Sequence, residues 1–289
     1  MLIKRKQIKN LFQWLLIIVI AIGIAIALRV FVFAKFTIPT PSMEPAIIAG
    51  DQVLVSKLTP GPRLIKNLFS IQENDKPEIT RISVSKIKRN DILVFNFPYT
   101  QRGKLGFDYQ VYYAKRCVGI PGDSLEIVNG FYKVRHVADT LGNYKKQEKL
   151  STSNKKRIKK GIFQSFPKNK RYDWNILDFG PLYIPGKGDC LPIDSMSIVL
   201  YKQLIEYETE KTVRVKRQQV LLNDSVITDY TFLNNYYFMA GDHVQDSKDS
   251  RYWGLLPEVH IVGKVVLALS NKNPKTGETN WKRFLKRIK

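Results

Sequence analysis

The sequence predicts a mainly antiparallel β domain carried behind a single membrane-spanning helix. Three observations give that expectation. An apolar run from Leu11 to Ala34 is broken only by Gln13 and Arg29, and a run of that length spans the hydrocarbon core as a helix. Beyond it, short strands alternate with turn signals and helical periodicity is weak. Asn129-Gly130, set between Ser124–Val128 and Phe131–Val137, is the strongest short hairpin signal in the chain.

Composition narrows the partners. At 289 residues and 44% hydrophobic content the chain has room for one large β domain or two smaller ones. A formal charge of +22 suits a polyanion, either nucleic acid or an anionic membrane surface. The apolar N-terminal run favours anionic membrane lipids. Zinc-finger spacing and an aromatic-rich RNA-recognition signature are both missing from the sequence, so no nucleic-acid partner is expected. Cys117 and Cys190 do not make a disulfide framework. One bridge or two unpaired core thiols both fit, and the apolar pattern around Cys117 favours the second. His136, His243 and His260 lack ligand spacing, so neither a metal nor a cofactor is expected.

Taken in order, residues 1–10 carry Lys4, Arg5, Lys6 and Lys9 without an acid, which places the N-terminus in the cytoplasm. Residues 11–34 form the anchor, with Arg29 snorkelling at its far end. Ala25-Ile26-Ala27 matches a signal-peptide cleavage pattern. The apolar run continues through Phe33, however, and favours a retained helix. Prolines at 39, 41 and 45 then force an extended or turn backbone around Ser42. Strands are expected at Gln52–Lys57, Asp91–Phe97, Val111–Ile120 and Tyr236–Ala240, with the last at Ile261–Leu269. A further hairpin is expected from Val213–Leu222 and the segment after Asn223-Asp224-Ser225. Residues 59–90 and most of 138–172 read as solvated loop. In the tail, Trp281, Phe284, Leu285 and Ile288 stand at helical spacing among basic residues, which fits either a helix lying on a membrane surface or a frayed end. The expected organisation is a basic N-terminus (1–10), an anchor (11–34), a discontinuous β domain (35–137 and 211–270), a variable insert (138–210) and a basic tail (271–289).

A serine hydroxyl needs an adjacent base to act as a nucleophile, and Ser42 sits in a loop stiff enough to hold it still. Lys115 is the candidate base. It lies in a largely apolar strand, where burial would strip its charge, and neighbouring Arg116 is expected on the outward face.

Four blocks carry a resemblance. They are Pro41-Ser42-Met43-Glu44-Pro45, then Asp91-Ile92-Leu93-Val94-Phe95, then Tyr113-Ala114-Lys115-Arg116-Cys117-Val118-Gly119-Ile120-Pro121-Gly122-Asp123. The last is Gly241-Asp242 with Asp246-Ser247-Lys248-Asp249-Ser250-Arg251-Tyr252-Trp253-Gly254. In this order, behind an anchor, they resemble bacterial type I signal peptidase. The resemblance implies a barrel-like signal-peptidase β fold and a Ser-Lys dyad of Ser42 and Lys115. It implies an oxyanion site from the Ser42 N–H and Thr40, a lysine-orienting Ser247, and a structural pair of Asp249 and Arg251. It further implies substrate contacts near Ile38, Met43 and Tyr113. The expected activity is removal of signal peptides from exported preproteins after a small-x-small site. The expected form is a monomer in the cytoplasmic membrane with its catalytic domain outside.

His243-Val244-Gln245 departs from the pattern that usually follows Gly-Asp, and His243 opens a Ser-His alternative. Two further classes compete. A self-cleaving repressor would share the dyad but needs a DNA-binding unit before Ser42. An anchored envelope scaffold would explain the charge and the anchor but not the four blocks.

Overall fold

The computed structural model describes residues 2–65, 79–100, 103–153 and 160–288. Helix α1 (Leu2–Ala27) continues as one π-helical turn, Leu28–Val32, and passes directly into strand β1 (Phe33–Thr37). The segment long and apolar enough to cross a membrane is Asn10–Val32, and none of it is buried in the fold. Phe33 and Ala34, expected in the anchor, belong instead to the sheet. The Lys57 amine closes the helix end, donating to the carbonyl oxygens of Arg29 and Val30 at 2.9 Å each.

Strand β2 (Asp51–Ser56) alternates buried and half-buried positions, as a sheet packed on one face requires. Strands β3 (Arg63–Ile65) and β4 (Ile79–Arg81) pair as a ribbon within the region expected to be loop, and residues 66–78 lie outside the described residues. Arg81 ties that ribbon to the domain by donating to the carbonyl oxygens of Gly61 and Glu258, 2.8 Å each. Strand β5 (Ile92–Asn96) is buried throughout, and β6 (Tyr112–Gly119) pairs with it. Strands β7 (Ser124–Val128) and β8 (Phe131–Val134) form the expected hairpin. Its Asn129 and Gly130 take φ of 49° and 84°, the left-handed pair that such a two-residue turn needs.

The region from 138 onward is more structured than its lysine content suggests. Helix α2 (Tyr144–Ser151) is capped by Asn143 and buries Gln147 and Leu150. Residues 154–159, part of the expected loop, lie outside the described residues. A short helix α3 (Lys160–Phe163) precedes β9 (Phe179–Tyr183), which pairs with β7. Strand β10 (Cys190–Pro192) follows, then helix α4 (Ile198–Thr209), which the weak periodicity did not predict. It buries Ile198, Tyr201, Leu204, Ile205 and Glu208. That last carboxylate accepts hydrogen bonds from the Tyr230 and Tyr236 hydroxyls at 2.8 Å each. The polar partners inside the pattern conceal the apolar face.

Strands β11 (Val213–Lys216), β12 (Gln219–Leu222) and β13 (Ser225–Ile227) form a meander. Val213–Leu222, expected as one strand, is itself a hairpin turning at Arg217 and Gln218, where φ is 49° and 66°. Strand β14 (Asp229–Thr231) pairs with β10. Strand β15 (Tyr236–Ala240), helix α5 (Ser250–Trp253), β16 (Leu256–Pro257), β17 (Ile261–Asn271) and β18 (Lys286–Arg287) complete the chain. The tail is no amphipathic helix: a 3₁₀ turn at Trp281–Arg283 leads into β18, which pairs with β17.

The main sheet runs β1-β2-β17-β5-β6-β15-β16, with β18 on β17. Strand β17 joins its two halves. Its first residues pair with β5 and its later ones with β2, across register shifts that bend it. Ile38, Met43, Val53, Val55, Val94 and Ala114 form one core cluster, and Leu93, Phe95, Cys117, Met239 and Leu256 another. Arg116, expected to face outward, is buried. Its guanidinium forks onto Asp242 with two 2.6 Å hydrogen bonds. Both cysteines are free; Cys117 is in the core as expected, but Cys190 is exposed.

Removing one partner of a buried ion pair leaves an uncompensated charge. Asp242→Ala should therefore lower unfolding free energy by about 3–5 kcal/mol in urea denaturation, with Asp242→Asn losing less.

Candidate active site

The loop around Ser42 is closed at its neck. Ile38 N–H donates to the Asp51 carbonyl at 2.9 Å, and Gly50 N–H to the Ile38 carbonyl at 2.8 Å. Within it Pro41–Met43 forms a 3₁₀ turn, and Glu44 N–H reaches the Pro41 carbonyl at 3.0 Å. Met43 is wholly buried, and this anchor leaves its neighbour Ser42 at the loop surface. Met43 was expected to contact substrate; its side chain packs instead in a core cluster with Ile38, Val53 and Val94 and is not among the residues lining the cleft. The Ser42 carbonyl accepts from His243 N–H at 3.1 Å. Gly241 permits that approach: a Cβ there would lie 2.1 Å from Ser247 Oγ and 2.7 Å from the Ser42 carbonyl oxygen.

Lys115 lies in β6 directly opposite Leu93, and strand alternation puts Tyr113 and Cys117 on its face. It is only 4% exposed. Its Nζ stands 2.6 Å from Ser42 Oγ and donates to the Ala114 carbonyl at 3.0 Å. The Tyr113 ring centroid lies 5.3 Å from the amine. Burial pushes the Lys115 pKa down from 10.5 to about 8; Asp249 and Asp242 pull it up and Arg251 pushes it down, all more weakly. A substantial fraction of this amine is therefore neutral near physiological pH, and a neutral amine can take the proton of a hydroxyl within hydrogen-bond reach.

Thr40 Oγ1 lies 3.4 Å from Ser42 Oγ at the exposed side. Ser247 Oγ is buried and finds no hydrogen-bond partner among the described residues, so the expected bond to Lys115 is not made. Asp249 and Arg251 are completely buried and joined by two 2.8 Å hydrogen bonds. Asp249 also accepts Gly241 N–H at 2.9 Å, which steadies the wall beside the lysine. The His243 ring is not a partner of Ser42 Oγ among the described residues; its backbone is what holds the loop.

These elements border an open cleft of about 470 Å³. Ile38, Thr40 and Ser42 line one wall and Tyr113 and Lys115 the other. Ser247, Asp249 and Arg251 stand behind the walls. Sequence reasoning missed Val111, Tyr112, Asp246 and Lys248, which also line the cleft. Tyr112 opens the strand that carries Lys115 and Val111 immediately precedes it, so proximity offered a signal. Asp246 and Lys248 flank Ser247, but nothing in their type marks a cleft.

A hydroxyl and a buried amine at the floor of an open groove, set in an antiparallel β domain, define a hydrolase-type site. The chain belongs to the signal peptidase family, peptidase S26, whose model matches residues 11–270. A signal peptidase I from Buchnera aphidicola of Acyrthosiphon pisum is 29% identical over 82% of this chain and 68% of its own length. One from Aquifex aeolicus is 25% identical over 93% of this chain and 86% of its own. One from Helicobacter pylori strain 26695 is 26% identical over 84% and 78%. Among solved structures, a signal peptidase I from Enterococcus faecalis V583 matches 63% of this chain and 98% of that one. The identity is 20% and the TM-score 0.30, a loose likeness. The chain is thus an enzyme of the signal peptidase I kind, a peptidase that removes signal peptides.

If Lys115 must lose its proton to act, kcat/KM should climb with pH through about 8 and level above it. A flat profile across that range would exclude Lys115 as the base. Stability carries the same signature. Between about 8 and 10.5 the unfolded amine holds a proton that the folded one lacks, so unfolding free energy should rise with pH there. Lys115→Met should remove that rise. Gly241→Ala drives a methyl against Ser247 and the Ser42 carbonyl, and should cut kcat about tenfold or more by displacing the serine.

Proposed function

We propose that this chain is a membrane-anchored serine endopeptidase that cleaves signal peptides from exported preproteins through Ser42 and Lys115. The observation that carries the reading is the 2.6 Å approach of a buried, easily neutralised amine to the Ser42 hydroxyl.

The substrate binds extended. Strand β15 pairs with β6 only at Arg116 and beyond, so Tyr112–Lys115 keeps the edge opposite β5 open towards the cleft. A preprotein segment adds there as a strand, with main-chain hydrogen bonds giving affinity and pockets giving selection. The shallow walls near Ile38 and Tyr113 admit small side chains, in keeping with a small-x-small site.

Lys115 Nζ takes the Ser42 proton as Oγ attacks the scissile carbonyl. The negative charge that develops on the carbonyl oxygen meets the Ser42 N–H and the Thr40 hydroxyl. The Lys115 ammonium then donates its proton to the leaving amine, and the signal peptide remains as an ester on Ser42. The neutral amine deprotonates a water, which attacks the ester and frees the serine. Asp249 and Arg251 shape the wall, and Ser247 gains a hydrogen-bonding role once the amine or substrate shifts towards it.

The anchor places this chemistry beside the lipid. The basic N-terminus stays in the cytoplasm and the β domain works on the outer face of the cytoplasmic membrane, where the chain beyond the anchor, carrying most of the +22 charge, faces anionic lipid. The division of labour follows: 1–10 cytoplasmic, an anchor from 11 that ends at Val32 just before β1, the rest of the segment to 137 with 211–270 catalytic, 138–210 an insert, 271–289 a basic tail. Helix and substrate held at one depth raise effective concentration, and a monomer is sufficient. Ser42→Ala and Lys115→Ala should each cut processing of a supplied preprotein by about 10³-fold or more with unchanged circular dichroism. Sequencing the N-terminus released by the unaltered enzyme tests the small-x-small site. Activity close to the unaltered level in either variant removes the dyad.

A further inference from the structure

The loop that carries Ser42 is held from an unexpected place. Asp51, at its neck, is completely buried and accepts from Ile48 N–H at 3.0 Å, closing the loop on itself. It also accepts from Asn271 Nδ2 at 3.0 Å and from the Arg283 guanidinium through both Nε and Nη2. Arg283 itself is buried. Its Nη2 donates to the Ala46 carbonyl at 3.0 Å, and Asn271 Nδ2 to the Ala49 carbonyl at 3.0 Å. The serine loop thus has a side chain and two carbonyl groups fastened by residues far along the chain. Both fastening residues lie beyond residue 270, where the match to the family model ends.

We propose that Arg283 is a positioning residue for the nucleophile: the C-terminal tail clamps the Ser42 loop through Asp51 and Ala46 and so fixes the distance from the serine to Lys115. The proposal rests on the reading of Ser42 as nucleophile. Three constraints make the clamp effective. A guanidinium fork on a carboxylate fixes angle as well as distance. Burial keeps it from exchanging with water. The loop is short and proline-stiffened, so holding its far limb limits movement of the whole. Arg283 does not line the cleft and touches neither reacting group, so it acts through the loop.

The test uses the full chain in lipid vesicles with a signal-peptide substrate, comparing Arg283→Met, Arg283→Lys, and Arg283→Met combined with Asp51→Asn. The double variant leaves no buried charge unpaired and is the form expected to fold. A loosened loop lowers kcat about tenfold to a hundredfold while KM moves little, because substrate binding does not depend on the reacting distance. Added guanidinium should restore part of that loss in Arg283→Met, and Lys282→Ala in the same tail should leave kcat unchanged. If the folded double variant turns over at the rate of the unaltered enzyme, or KM rises while kcat holds, the clamp is not a positioning device. Lack of cleavage by the unaltered enzyme, or cleavage that survives Ser42→Ala, would instead sink the reading of the active site.

Discussion

The structure depends on one costly placement: an amine removed from water and brought against a hydroxyl. Lysine ordinarily keeps its charge, and burying it is unfavourable unless the proton is given up. The fold meets that demand by setting Lys115 mid-strand, with its edge neighbours packed on both faces and a serine as its nearest polar partner. The nearby carboxylates are occupied elsewhere, Asp249 by Arg251 and Asp242 by Arg116. Had either been free to pair with Lys115, the ammonium would be stabilised and less easily neutralised. Asp249 and Asp242 still pull the amine upward, but burial outweighs them and the net shift is down.

Holding the serine is the complementary task. Its loop has little secondary structure and derives its order from separate clamps: the buried Met43 side chain, the backbone of His243, the absence of a Cβ at Gly241, and the Asp51 neck. These come from distant parts of the sequence, brought together because β17 spans both halves of the main sheet. The site is thus a product of topology more than of any local motif.

That explains what could be read beforehand. Strand positions were legible where alternation was clean, as in β2 and β7, and in β15 as an unbroken apolar run. Asn129-Gly130 gave its turn because left-handed backbone demands those residue types. The serine and lysine were legible from the order of the blocks and from the apolar setting of Lys115. Helix α4 was hidden because its buried face includes Glu208, whose carboxylate is satisfied by partners further along the chain: the Tyr230 and Tyr236 hydroxyls, the Leu233 and Asn234 N–H groups and the Asn234 amide. Arg116 was misplaced because alternation fixes the face of a sheet, not whether that face is wet; both faces here are covered. Met43 was misassigned because adjacency to a nucleophile says nothing about which way a side chain turns. Arg283 had no signal at all, being one cation in a basic tail whose partner lies at the opposite end of the chain.

The membrane segment is joined to the β domain without slack. Its last turn is grasped by Lys57, and the next residue already belongs to an edge strand paired with β2. Helix and domain consequently behave as one lever. Any change in the inclination of the helix would therefore be passed to β1 and the sheet it borders.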